Sequence, residues 1–282
     1  MVKKIIPNLI TLGNLFCGII AIYFACKSSI QIAAVFICLG ILLDFFDGMA
    51  ARLLKVQSEI GKELDSLADI VTSGVAPAFI VFMLLHNGLD ASNNMSEELT
   101  PLAFPLTCTV LLMPLFAAYR LALFNLDKEQ RHYFKGLPVP ANALVWVGIA
   151  LTLPSFSKTI CLDIEPGEDL YFGPCHPLFY ELWQPWWLYA IVAISLVLDI
   201  LMVCRLPMFS LKFNLHDLSW RSNSVRYVFL AGCVGIAVVM WIFRDNFFTN
   251  RLWLTLPIAI VWYVLLSIIT RRNTICQADL NK

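Results

Sequence analysis

Residues 44–69 read DFFDGMAARLLKVQSEIGKELDSLAD, between the apolar runs ILL (41–43) and IVTSGVAPAFIVFMLL (70–85). Asp44, Asp47, Asp65 and Asp69 therefore fall where the neighbouring residues belong in hydrocarbon or protein interior. The chain around them is 59% hydrophobic and 14% charged, with mean hydropathy +0.75. An average soluble domain is about 45–50% apolar and about 25% charged. The composition predicts an all-α polytopic membrane protein, because only helices or closed barrels satisfy their backbone in lipid. Net charge is zero. No basic stripe is large enough to track a phosphate backbone, which argues against nucleic acid as a partner.

A spanning helix needs about 20 mostly apolar residues. Eight stretches qualify, at about 6–26, 29–52, 64–86, 101–123, 139–156, 185–204, 224–243 and 252–270. The opening MVKKIIPNLITLGNLFCGII is read as the first of these, not as a cleaved signal, because no small-residue cleavage site follows it. Of the 20 lysines and arginines, all but Lys27, Lys158, Arg244 and Arg251 fall on one side of this layout. The positive-inside rule then makes both termini cytoplasmic. The segment 157–184 becomes an acidic outer loop carrying Asp163, Glu165, Glu168, Asp169 and Glu181. It also holds Cys161 and Cys175, a disulfide candidate that spacing alone does not establish. Six helices within 1–215 are expected to form the working core, with two more in 216–282 as scaffold or dimer surface.

Asp44 and Asp47 are three residues apart and Asp65 and Asp69 four apart, so each pair shares a helix face. One pair ends a helix and the other begins the next, across a polar link at about 53–63. Asp44 lies about 12 Å from the end of its helix near Arg52, at 1.5 Å per residue. A single aspartate at the centre of a membrane helix costs roughly 2.5–3.5 kcal/mol, so four without partners would cost on the order of 10 kcal/mol. A divalent cation offsets that cost, and an all-oxygen donor set selects Mg²⁺ or Mn²⁺. His86, His132, His176 and His216 are scattered and give no zinc pattern. Gly48 lets a phosphate approach the backbone, Ala51 is small on the same side, and Arg52 suits bidentate phosphate binding. Asn8, Thr11 and Asn14 recur on one face of the first helix. A cation transporter with intramembrane carboxylates is the rival reading, but such sites usually lie near the midplane.

Asp44-x2-Asp47-Gly48-x2-Ala51-Arg52-x8-Gly61-x3-Asp65-x3-Asp69 resembles the full signature of the CDP-alcohol phosphotransferases. The resemblance implies transfer from a CDP-linked donor to an alcohol, with release of CMP. It implies that Asp44, Asp47 and Asp65 hold one metal, and that Asp44, Asp65 and Asp69 contribute to a second. Asp69 would also act as general base. Gly48, Ala51, Arg52, Ser58 and Gly61 would face the donor, together with Pro7, Asn8, Leu9, Ile10 and Thr11 of the first helix. A homodimer is implied by the resemblance alone.

The blocks PNLITLGNLFCG (7–18), DSLADIVTSGVAPA (65–78), RLALFN (120–125), FKGLPVPANA (134–143) and RLPMFSLKF (205–213) resemble the integral-membrane phosphatidylserine synthases. This implies CDP-diacylglycerol and L-serine as substrates, in a prokaryotic inner membrane with the site facing the cytoplasm. Relatives carry a second arginine where Leu123 stands here. Arg120, Lys135 and Arg205 are thus the candidates for holding the acceptor or a lipid phosphate. Glycerol 3-phosphate, inositol or inositol phosphate are the alternative acceptors. Asp199 is expected to pair with Arg205 in a structural role.

Overall fold

The computed structural model describes residues 2–56, 59–93, 100–126, 134–153, 185–204, 206–209, 220–242 and 251–270. Ser58, Arg205, the loop 157–184 and the Cys161–Cys175 pair lie outside them. Among the described residues, six helices are long and apolar enough to cross a membrane, and two shorter apolar helices accompany them. The protein is an all-α polytopic membrane protein. Leu9, Phe16, Ile19, Val35, Leu42 and Leu115 are exposed on the outside of the bundle, as a lipid-facing surface requires.

Helices α1 (Val2–Cys26) and α2 (Ile30–Leu53) form an extensive hairpin. Small residues make it close: Ala21, Ala25, Ala33 and Ala34 are fully buried, so backbone packing replaces the hydrophobic drive that lipid does not supply. At Gly18 a Cβ would stand 2.6 Å from Thr72 Oγ1, and at Gly40 one would stand 2.9 Å from Asn14 Oδ1. Those two glycines let α1, α2 and the third span meet. Lys55 closes α2 in the left-handed region, at φ 52°. Its amide bonds Arg52 O at 3.2 Å and the amide of Val56 bonds Ala51 O at 3.0 Å, satisfying carbonyls at the helix end.

The third span is one continuous helix with a defect. α3 (Glu59–Asp69) passes into a π-helical turn at Ile70–Val75 and then into α4 (Ala76–Asn93). It begins at Glu59, not near residue 64 as expected, and places Gly61 inside its first turn. The acidic Glu59 suits a helix N-terminus, so the polar link is only residues 54–58. The π turn carries the buried Thr72, Ser73 and Gly74. Thr72 Oγ1 donates to Asn14 O at 3.0 Å, and a Cβ at Gly74 would lie 3.1 Å from Ala117 Cβ. The defect sits where α1 and the fourth span press on the helix.

The fourth span is also interrupted. α5 (Thr100–Cys108) tightens to a 3₁₀ turn at Thr109–Leu112 before α6 (Met113–Leu126). Pro114 cannot donate to the carbonyl of Val110 and its ring crowds it. Thr107 and Thr109 turn their hydroxyls onto Phe104 O and Leu106 O at 2.7 and 2.6 Å.

Strand β1 (Phe134–Lys135) pairs antiparallel with β2 (Pro207–Met208), Phe134 opposite Met208 and Lys135 opposite Pro207. Gly136 follows with φ +77°, and a Cβ there would stand 2.8 Å from Cys204 O. Only glycine fits that turn. The amides of Gly136 and Leu137 bond Leu206 O and Leu201 O, both at 2.9 Å. This clips the start of α7 (Val139–Thr152) to the end of α8 (Pro185–Val203). α7 is buried along most of its length and packs on α2, on the π turn and on the last helix. α9 (Trp220–Ile242), a 3₁₀ turn (Arg251–Leu254) and α10 (Thr255–Ile269) complete the described chain.

Candidate active site

The α1–α2 hairpin and α3 bring the four aspartates to one place. One carboxylate oxygen from each of Asp44, Asp47 and Asp65 lies within 4.8 Å of the others. Asp47 is buried and receives a hydrogen bond from Thr11 Oγ1. The same hydroxyl lies 3.0 Å from Pro7 O, so its single proton is shared between two acceptors. Asp65 Oδ1 is buried without a hydrogen-bond partner. Three carboxylates this close repel one another, and a buried oxygen without a donor adds desolvation cost. The donor set fits a hard divalent cation, which would take the orphaned oxygen and cancel the repulsion.

Asp69 lies beside that trio without joining its 4.8 Å cluster. Asn14 Nδ2 donates to Asp69 Oδ1 at 3.4 Å, and Asn14 is itself fixed because its backbone carbonyl accepts from Thr72. The π turn begins one residue after Asp69. Such defects in helices occur frequently at functional sites.

A cavity of about 470 Å³ opens beside the trio. Pro7, Asn8, Thr11, Gly48, Ala51 and Gly61 line it, with Asp47 and Asp65. Leu9 does not; it is exposed on the outer face of α1. Ile10 also lies off the cavity wall, and Arg52 lies at the end of α2. At Gly48 a Cβ would meet nothing nearer than Arg52 Nη2, at 4.0 Å. No packing demand of the fold explains glycine there, unlike Gly18 or Gly40. The space it leaves belongs to the cavity. Val56, Glu59 and Lys62 also line the cavity, and sequence reasoning had left Glu59 and Lys62 in the link between helices.

Lys62 Nζ reaches Asn125 O at 3.4 Å, Asn125 Nδ2 donates to Ser66 Oγ at 2.9 Å, and Ser66 Oγ donates to Lys62 O at 3.2 Å. These bonds lash the end of α6 to α3. One and a half turns back along α6, Arg120 is 7% exposed with its guanidinium 5.9 Å from the Phe124 ring centroid. It lies within electrostatic range of Asp69 and of Tyr263 on α10. Its Nε has no hydrogen-bond partner, and it forms no ion pair among the described residues. Lys135 is placed by its backbone on β1, opposite Pro207. Asp199 is fully buried and neither of its oxygens has a hydrogen-bond partner among the described residues; the pairing expected with Arg205 falls outside them.

A membrane-embedded transferase with an acidic trio that could hold a metal ion is the class to which this fold and site point. The chain belongs to the CDP-alcohol phosphatidyltransferase family, which it matches over residues 4–167. A protein of Bacillus subtilis (strain 168) named CDP-diacylglycerol--serine O-phosphatidyltransferase is 38% identical over 152 residues, which is 54% of this chain and 76% of that protein. A protein of the same name from Methanocaldococcus jannaschii is 32% identical over 168 residues, covering 59% of this chain and 71% of the relative. A third, from Mycobacterium leprae (strain TN), is 33% identical over 153 residues but only 46% of that protein is covered. Helices α8 to α10 lie beyond the family match.

Proposed function

We propose that the protein transfers the phosphatidyl group of CDP-diacylglycerol to L-serine, giving phosphatidylserine and CMP. The observation that carries this reading is the acidic trio on the wall of a cavity that Gly48 leaves open, with Asp69 held separately beside it. The names of the relatives support serine as the acceptor.

In this reading the cavity takes the CDP moiety. Gly48, Ala51 and Gly61 admit the phosphates to the helix backbones, Arg52 and Ser58 contact them, and Pro7, Asn8 and Thr11 face the nucleotide. Asp44, Asp47 and Asp65 would hold one Mg²⁺ or Mn²⁺, and Asp44, Asp65 and Asp69 would contribute to a second. When bound, such ions neutralise the pyrophosphate and stabilise departing CMP. The serine hydroxyl oxygen forms a bond to the phosphorus that carries diacylglycerol. The bond from that phosphorus to CMP breaks and its electron pair leaves with CMP. The hydroxyl proton passes to Asp69, because a serine hydroxyl is a poor nucleophile unless a base accepts its proton in the transition state. Arg120, a buried cation that forms no ion pair among the described residues, offers a site for the serine carboxylate, with Lys135 and Arg205 as the other basic candidates. The apolar exterior beside the cavity admits the acyl chains directly from the bilayer.

The unit 1–215 forms the catalytic core in this reading and 216–282 the accessory helix pair. The protein works as a homodimer in a prokaryotic inner membrane, with the site open to the cytoplasm. Purified protein is incubated with CDP-diacylglycerol, Mn²⁺ or Mg²⁺, and L-serine, glycerol 3-phosphate, inositol or inositol phosphate in turn. CMP release with serine is expected. Release with another alcohol and not with serine would reject the acceptor while leaving the transfer chemistry in place.

A further inference from the structure

We propose that the C-terminal helix pair completes the acceptor side of the site, with Tyr263 as the positioning residue that fixes β2 and, through it, the strand that carries Lys135. Resting on the transfer reading above, this gives a chemical task to helices that the family match does not reach.

Tyr263 is 5% exposed on α10, in a run whose composition reads as an ordinary lipid span. Its hydroxyl donates to Phe209 O at 2.9 Å. Its ring packs on Phe209 at 4.8 Å and on Phe229 of α9 at 5.8 Å between centroids. Phe209 and Phe229 close the triangle at 5.8 Å in an edge-on arrangement. A buried tyrosine hydroxyl needs a partner, and here the partner is the backbone directly after β2. β2 holds β1, and β1 carries Lys135 and leads through Gly136 into α7.

The docking of α10 is tight enough to transmit position. A Cβ at Gly148 of α7 would stand 2.8 Å from Trp253 O, and one at Gly232 of α9 would stand 2.7 Å from Trp262 Cε2. The last two helices are thus wedged against each other, and the last of them, with the turn before it, against α7. A purely lipid-facing scaffold has no use for a phenol hydroxyl turned inward onto the ribbon that bears Lys135.

The test is steady-state kinetics of Tyr263→Phe, which keeps the ring and removes the hydroxyl. The expected result is a rise in acceptor KM of roughly three- to tenfold, the affinity equivalent of one hydrogen bond, with kcat and donor KM within about twofold of wild type. Phe229→Leu, which loosens the same ring cluster from α9, is measured alongside and should show the same split. Val261→Ala, on the exposed face of α10, should leave all three constants unchanged. Unaltered acceptor KM in both ring-cluster variants, or equal losses toward donor and acceptor, would overturn the proposal. Acceptor KM is read with whichever alcohol the wild type uses. Failure of serine as acceptor is therefore distinguishable from failure of Tyr263 as a positioning residue.

Discussion

The two sides of the site are built differently. In the proposed reading, the nucleotide side comes from the consecutive helices α1 to α3 and the π turn that follows, within the first 75 residues, and its side chains brace one another: Thr11 on Asp47, Asn14 on Asp69, Thr72 on Asn14. Its orphaned buried oxygens, Asp65 Oδ1 and Asn14 Oδ1, stand at the acid cluster where a cation and a substrate would meet them. Among the described residues, the later helices α6 to α8 carry Arg120 Nε, both amide atoms of Asn142 and Ser195 Oγ buried without hydrogen-bond partners. Buried polar groups are normally satisfied, and in a membrane the cost of failing is higher. In the proposed reading, one side is a pre-braced receptacle for a rigid, highly charged donor, and the other offers polar groups to a small polar acceptor.

The sharpest way to break this contrast is to remove what the donor side is built around. Chelation with EDTA should abolish CMP release altogether, and added Mn²⁺ or Mg²⁺ should restore it. Full activity in the chelator would remove the metal reading of the trio. Next in size, Asp69→Asn should lower kcat by about 10²–10⁴, the usual contribution of a general base, while binding of labelled CDP-diacylglycerol persists. A comparable loss of donor binding would instead place Asp69 with the trio.

Arg120→Lys tests the other side. The lysine keeps the charge but loses the planar fork, so acceptor KM should rise roughly ten- to a hundredfold with donor KM little changed, as expected for a hydrogen-bonded charged group. Gly48→Ala should do the opposite. It should raise donor KM by about tenfold, the equivalent of about 1.4 kcal/mol, and spare acceptor KM. Thermal stability should stay near wild type, since the new methyl meets only Arg52 Nη2 at 4.0 Å. A Gly48→Ala protein with unchanged donor KM would show that the cavity is not where the donor's phosphates lie.

The same asymmetry governs what could be read from the sequence. The donor side is short-range, so its aspartates, Gly48, Arg52 and the polar face of α1 stand at fixed spacings in one stretch. The spans were legible because lipid demands long apolar helices whatever their neighbours. The π turn at Ile70–Val75 was not, because IVTSGV fits an ordinary helix equally well. It is set by Thr72 bonding across to Asn14 and by the close approach of Ala117 to Gly74. Glu59 and Lys62 were assigned to a link because charge at a span end reads as loop, yet they form the first turn of α3. Tyr263 lies in an apolar run that looks like scaffold, and only the fold shows its hydroxyl on Phe209 O. Long-range pairings of this kind leave no local pattern.

The smallest expected effect falls where the two sides are tied together. Asn125 donates to Ser66 and accepts from Lys62 through its carbonyl, joining the end of α6, which carries Arg120, to α3, which carries Asp65 and Asp69. Asn125→Ala removes the side-chain bond and leaves the backbone carbonyl in place. The lost bond is partly exposed, so stability should fall by about 0.5–1.5 kcal/mol. Its kinetic signature distinguishes it from every substitution above. Because the lashing sets the distance between the two sides and binds neither substrate itself, kcat should drop by about two- to fivefold while both KM values hold, as expected when reacting groups are slightly misplaced. A change confined to donor KM would mean that Lys62 is held in the cavity by Asn125. The two halves would then be independent of each other.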